Sequence, residues 1–293
     1  MAQELDILLE LAGDDGAEYR NRNDGAEIER EVVIDRGEDI FVGCDLLPVI
    51  HGQMDPEDEV PASLVVFDFH FQGSARKKRF ISAHISVVFA DEESPGNPRL
   101  DPIVREISFA PTGASGRHSI IPTVHQKEVR RAVSLSSGGS AFGVEIKGGV
   151  FYEVSETVKK HDSAFLEARK RVLGRAVGKK NAAEWLLLEN ESRRDGIPPF
   201  MRVAVLLERQ SIKGETRRFT GTVSVDARVA MGHRVSDVWN ALGMRKVPPV
   251  DPVIFNPERR RRMEDIIDAD ANNLRAAKVE DIGVLLGEVN RLS

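Results

Sequence analysis

Apolar and polar residues alternate with a period of two through much of the middle of the chain. In "SLVVFDFHFQ", beginning at Ser63, Phe67, Phe69 and Phe71 interleave with Asp68, His70 and Gln72. Successive side chains of a strand point to opposite faces, so this spacing predicts a half-buried strand. After the polar turn "GSARKK", "RFISAHISVVFAD" sets Ile81, Ala83, Ile85, Val87 and Phe89 against Ser82, His84 and Ser86. Two such runs around a short turn predict a hairpin with one apolar and one polar face. Similar patterns predict strands over Val104–Phe109, Val124–Leu135, Phe142–Val158, Trp185–Glu189, Met201–Arg209 and Arg218–Val229. Gly-, Pro- and Asp-rich turns join them without regular intervening helices. The expected fold is therefore mainly β, an antiparallel β-sandwich-like core with a helical C-terminal tail.

Outside these runs the pattern is weaker. Leu5, Leu8, Leu9 and Ala12 suit a short amphipathic helix over residues 2–12, and residues 13–31 read as a polar linker. "EVVIDRGEDIFVGCDLLPVI" offers two short strands around Gly37, and "HGQMDPEDEVP" reads as an acidic connector. In "DSAFLEARKRVLGRAV", Phe165, Ala168, Val172 and Ala176 fit helical spacing, whereas Ala164, Leu166 and Ala168 fit a strand. Helix propensity favours the first and the β context the second, which we adopt. Beyond Val229, "KVPPVDPVIFNP" should be extended, because a residue before proline avoids the helical region. "PERRRRMEDIIDADANNL" should be helical from Pro257, and Ile282, Leu285, Leu286 and Val289 share a face of a second helix. The implied domains are residues 1–59 (N-terminal helix, linker and short strands), 60–230 (sandwich core) and 231–293 (Pro-rich linker and helical tail).

Composition narrows the function classes. The 293 residues carry a formal net charge of -6, so no general nucleic-acid binding is expected without a basic face. The single cysteine, Cys44, cannot form an internal disulfide, which favours a reducing compartment, cytoplasmic or nuclear. "MAQELDILLELAGDDG" lacks the positive start of a secretory signal, and runs such as Val203–Leu207 are too short for a membrane-spanning helix.

Several segments resemble a family of uncharacterised β-rich proteins of filamentous fungi: Phe67-x-Phe-x-Phe-x-Gly73 with its basic turn and the strand ending V-F-A-D, "NAAEWLLLEN", "DGIPPFMRVAVLLER" and "PVDPVIFNP". The resemblance spans roughly Leu64 to Asp268, with Trp185, Glu189, Asn190 and Gly196-Ile197-Pro198 its most specific parts. It implies a fungal origin and a shared β-rich fold. No activity is assigned to that family, so it implies no mechanism.

Candidate chemistry is sparse. Asp68, His70 and His84, on polar faces of strands expected to be adjacent, supply two imidazoles and a carboxylate as candidate zinc ligands. Solvated surface residues give the same pattern, and a further ligand would have to come from far along the chain. "GRAVGKKN" falls short of a phosphate loop, with three residues between its glycines and Lys180 where a hydroxyl belongs. No cofactor is expected. Arg76-Lys77-Lys78-Arg79 suits a solvated hairpin tip, whereas Arg259, Arg260, Arg261 and Arg262 suit a charged helix start, a nuclear-import signal or a partner contact. "SLSSGGSAFGVEIKGGVFYEVSETV" alternates as membrane-inserting hairpins do, and equally as an amphipathic hairpin of a sandwich does. Trp185 to Leu188 reads as a buried strand, with Glu189 and Asn190 at its end holding loop amides. The expected function is a non-catalytic intracellular interaction module binding protein partners. The alternatives are a membrane-associating or pore-forming β protein, and a hydrolase with a loop-borne site.

Overall fold

The structure is a computed structural model. It describes residues 23–25, 27–37, 40–58, 60–73, 78–109, 116–134, 151–211, 214, 216–231, 250–259 and 269–286, with 116–163 described by backbone pairing alone. It is mainly β, built as two antiparallel sheets. The first sheet holds β1 (Val32–Arg36), β2 (Ile40–Leu46), β4 (Pro61–Gly73), β10 (Phe200–Glu208) and β13 (Val284–Leu286) in that order. In it, β3 (Ile50–Gln53) also pairs with β4, and β6 (Ile103–Ile107) with β10. The second sheet runs β12 (Val253–Phe255), β11 (Phe219–Met231), β5 (Lys78–Asp91), β9 (Ala182–Leu188), β8 (Phe151–Arg171) and β7 (Gly116–Ser134).

The core lies between the sheets. Val65, Phe67, Phe69 and Phe71 of β4 and Met201, Val203, Val205 and Leu207 of β10 meet Ile85, Val87 and Phe89 of β5 and Trp185 and Leu187 of β9. Each fully buried side chain of this size contributes about 1.5–3 kcal/mol.

The strands β4 and β5 do not form the expected hairpin. They enter different sheets, and β4 pairs with β2, β3 and β10 while β5 pairs with β9 and β11. The physical reason lies in the neighbours of the Phe repeat. Ala62, Leu64 and Val66 make the opposite face of β4 apolar too, as Ala204 and Leu206 do for β10. A strand apolar on both faces belongs in the middle of a sheet covered on both sides. The outer cover is the C-terminal segment, whose Ala269, Leu274 and Val279 pack on Leu64, Val66 and Leu206.

That segment also corrects the expected helical tail. Among the described residues helix occurs as a 3-10 turn (Leu274–Ala277) and α1 (Val279–Ile282), after which the chain becomes β13. Leu285 pairs with Met201 of β10, so a ladder takes the apolar residues that a helix face would have used. The proposed helices over 2–12 and 260–268 lie outside the described residues. Residues 50–53, read as connector, are β3. The sheets therefore extend past 60–230 at both ends, taking in β1, β2, β3, β12 and β13. The ambiguous segment is strand to Arg171, with Ala164, Leu166 and Ala168 buried.

Candidate functional site

The proposed metal ligands do not come together. Asp68 and His70 lie on the outer face of the first sheet, in register with Arg202 and Phe200. Arg202 donates from Nε and Nη2 to the two carboxylate oxygens of Asp68 at 2.7 Å each. Those hydrogen bonds to Asp68, outweighing burial, raise the Arg202 pKa. The His70 ring packs 5.2 Å from the Phe200 ring, with Nε2 3.5 Å from Asp45. Burial raises the Asp45 pKa although His70 opposes the shift. His84 sits on the outer face of the other sheet, 3.6 Å from Glu184. Glu184 also accepts from Arg169 Nε at 2.7 Å and Arg171 Nη1 at 3.3 Å. The apolar core separates the two sets, because β4 and β5 belong to opposite sheets. Among the described residues no three His, Cys, Asp or Glu side chains group as a metal site.

Trp185 is wholly buried, its Nε1–H donating to the Ser108 carbonyl at 3.1 Å. Glu189 and Asn190 follow where β9 leaves the sheet. Glu189 accepts from Arg79 Nε at 2.8 Å, Arg79 Nη2 at 3.0 Å and the Gly196 amide at 3.1 Å. The Asn190 side-chain oxygen accepts from the Ser192 and Arg193 amides at 3.0 and 3.2 Å. Gly196 adopts φ +93°, a left-handed conformation that glycine reaches without strain. A Cβ there would approach the Phe80 carbonyl oxygen to 3.1 Å. The loop is thus tied to the start of β5. Arg259 donates from Nη1 to the Ile28 carbonyl at 2.8 Å, and Arg260, Arg261 and Arg262 lie outside the described residues.

Two polar constellations were not foreseen. In the first, His51 of β3 stands opposite Ser63 of β4, with Nδ1 2.7 Å from the Ser63 hydroxyl. Its Nε2 is 3.1 Å from Glu29. The ring thus bridges the Ser63 hydroxyl and the Glu29 carboxylate through its two nitrogens. The order serine, histidine, carboxylate matches a nucleophile relay. Ser63 is 0% exposed, and the His51 and Glu29 side chains are 5% and 1% exposed, so no substrate reaches the hydroxyl in this conformation. The relay instead pins the segment before β1 between the sheets. Alternation could have placed His51 beside Ser63 had β3 been recognised. Nothing local marks Glu29, which arrives from outside the paired strands.

The second is a cleft of about 480 Å³ lined by Glu92, Glu93, Thr216, Arg217, Arg218, Asn256 and Glu258. Its guanidinium groups are already engaged. Arg217 donates to Asp91 at 2.7 and 2.9 Å and to Glu93 at 2.9 Å, and Arg218 pairs with Glu92 at 2.7 Å. Burial pushes the Asp91 pKa up, but hydrogen bonds from Arg217 and the Ser94 amide outweigh it and leave the pKa lowered.

The β7–β8 ribbon runs on past the end of β9. Strand β8 pairs with β9 only from Phe165, opposite Leu188, to Arg171. Its residues Phe151–Ala164 pair with β7 alone among the described residues. The register shifts between Ile120 and Thr123, so Ile121 and Pro122 bulge where β9 ends. Beyond this bulge Thr123–Ser134 and Phe151–Asp162 form a two-stranded ladder. At ~3.4 Å per residue it runs on for roughly 40 Å. Along this length both outer edges are unpaired among the described residues.

No family model matches the chain. No curated protein matches it. Among solved structures, the Clostridium perfringens NetB toxin in the membrane-inserted form is similar over 65% of this chain and 85% of that chain, at 8% identity and a TM-score of 0.21. A likeness at that score carries neither fold nor function to this chain.

Proposed function

We propose that the protein is a non-catalytic interaction module, and that its β7–β8 ribbon binds protein partners by strand addition along its open edges. The observation that carries this is the ribbon's length beyond the sandwich, without a third strand among the described residues. A two-stranded ribbon is marginally stable in water, and each open edge presents a row of unpaired backbone donors and acceptors. A partner strand satisfies both deficits. The engaged state of the polar clusters supports the absence of catalysis: Glu184, Asp68, Asp91 and Glu189 are each held by arginines. The single buried Cys44 suits a reducing, intracellular setting.

A membrane role fits the described ribbon less well. Its register puts Lys127, Arg131 and Glu156 on one face, and Glu128, Arg130, Glu153 and Lys159 on the other. Either face turned to lipid would bury several charges, at about 2–4 kcal/mol for each Arg or Lys at the bilayer midplane.

The test compares the full chain with a variant in which residues 121–163 are replaced by Asn-Gly, closing the hairpin after Ile120 and before Ala164. Proteins captured by the full chain should be lost with the shortened chain, whose sandwich melts unchanged. Capture of the same proteins by both would refute a docking role for the ribbon. Dye release from anionic or neutral vesicles by the full chain alone would favour the membrane alternative.

A further inference from the structure

We propose that one occupant of the ribbon is a second copy of this chain, added antiparallel to the open edge of β8; this rests on the ribbon being a docking element. The two open edges differ in charge pattern. The β7 edge carries Lys127, Arg130 and Arg131 against the single carboxylate Glu128. Self-pairing of β7 with the axis on any of residues 127–131 brings like charges opposite each other, which is destabilising. The β8 edge is instead split into an acidic half, with Glu153 and Glu156, and a basic half, with Lys159 and Lys160. A strand with that split complements itself when reversed.

Symmetry fixes the register. Two antiparallel neighbours related by a two-fold axis perpendicular to their sheet keep their faces, so odd positions oppose odd and even oppose even. With Val158 on the axis, Val158 opposes its own copy and Glu156 opposes the second copy's Lys160, twice by symmetry. Thr157 then opposes Lys159, Val154 opposes Asp162, and Tyr152 opposes Ala164. No like charges stand directly opposite each other. This ladder uses Tyr152–Ala164, nearly the whole stretch of β8 that β9 leaves open. Moving the axis to Glu156 would set that carboxylate against its own copy. Moving it to Thr157 would break the Glu156–Lys160 pairing. The product is a continuous sheet in which β7 and β8 of one copy adjoin β8 and β7 of the other. An isologous contact of this kind closes at two copies instead of growing into fibres.

The experiment uses the full chain. Sedimentation equilibrium at low salt should show a dimer that weakens as salt rises. Lys160→Glu sets two pairs of carboxylates opposite each other and should weaken the dimer about tenfold or more. Val158→Cys should form an intermolecular disulfide under mild oxidation, because the two copies meet at that position. Val154→Cys, displaced from its own copy by several residues, should not; Cys44 is buried and contributes no background. A monomer at all concentrations overturns the proposal, as does a dimer indifferent to Lys160→Glu, or equal cross-linking at both positions. If the chain is monomeric and yet loses its captured partners when the ribbon is removed, this inference falls while the ribbon's docking role stands. If ribbon removal changes no capture, the docking role itself falls.

Discussion

Removing the Glu189 carboxylate isolates the structural role of the β9–β10 loop. Glu189→Ala takes the acceptor away from three N–H groups, two on Arg79 and one on Gly196. Hydrogen bonds to charged groups contribute about 1.5–3 kcal/mol each when buried, and exposed ion pairs about 0–1. The Arg79 and Glu189 side chains are 19% and 13% exposed, between those limits. A loss of roughly 2 kcal/mol is therefore expected for Glu189→Ala, and about 1 for Glu189→Gln, which keeps one acceptor. Urea unfolding followed by tryptophan fluorescence reads the change, since Trp185 lies just before the loop. The decisive quantity is the coupling to Arg79→Ala in a double-mutant cycle, expected at about 1 kcal/mol or more. Additive single effects, or a Glu189→Ala cost below about 0.5 kcal/mol, would refute the claim that this pair holds the loop to β5.

Gly52→Ala should loosen the C-terminal cover, because a Cβ there would lie 1.8 Å from the Ala271 carbonyl oxygen. The expected cost is about 1–3 kcal/mol, with cleavage of residues 269–286 preceding that of the sandwich in limited proteolysis; an unchanged cleavage order would contradict it. The lowered Asp91 pKa means stability that is fully present above the unfolded value of about 3.9 and is lost as pH falls through the lower folded value. Urea midpoints should therefore drop most steeply below about pH 4, and Asp91→Asn should flatten that slope; equal slopes in both proteins would argue against it. Burial raises the Cys44 thiol pKa, so it should react with a thiol reagent only as fast as the sandwich opens, whereas immediate stoichiometric labelling of the native protein would place it outside the core.

The strands were legible where one face is polar. The alternation of Ile85, Val87 and Phe89 with Ser86 marks β5, and that of Val223 with Thr222 and Ser224 marks β11, because both keep a polar outer face. Strand β3 was missed because four residues give period two little to register. The β13 segment, "VLL", was assigned to a helix because three consecutive apolar residues fit either period. The candidate site was less legible than the fold. His51, Ser63 and Glu29 come from three separate segments, and Asp91 meets Arg217 from 126 residues away. The residue types were visible, whereas their convergence depends on strand pairing.

By itself the sequence determined the class: mainly β, with a core drawn from the Phe67–Phe71 and Ala83–Phe89 repeats, whereas a register shift beside Ile81 buries Phe80 in its place. Period two follows from backbone geometry, so a single strand carries its own in-and-out pattern. Which strands pair is a non-local matter. The tertiary structure decided that β4 and β5 part into opposite sheets, which separated His70 from His84. It decided that the C-terminal segment covers the second apolar face of β4 and β10. It also decided that β8 outruns β9, so that Phe151–Ala164 pair with β7 alone among the described residues. Burial on the second face and pairing along an edge depend on what distant segments supply, and local alternation carries no record of either.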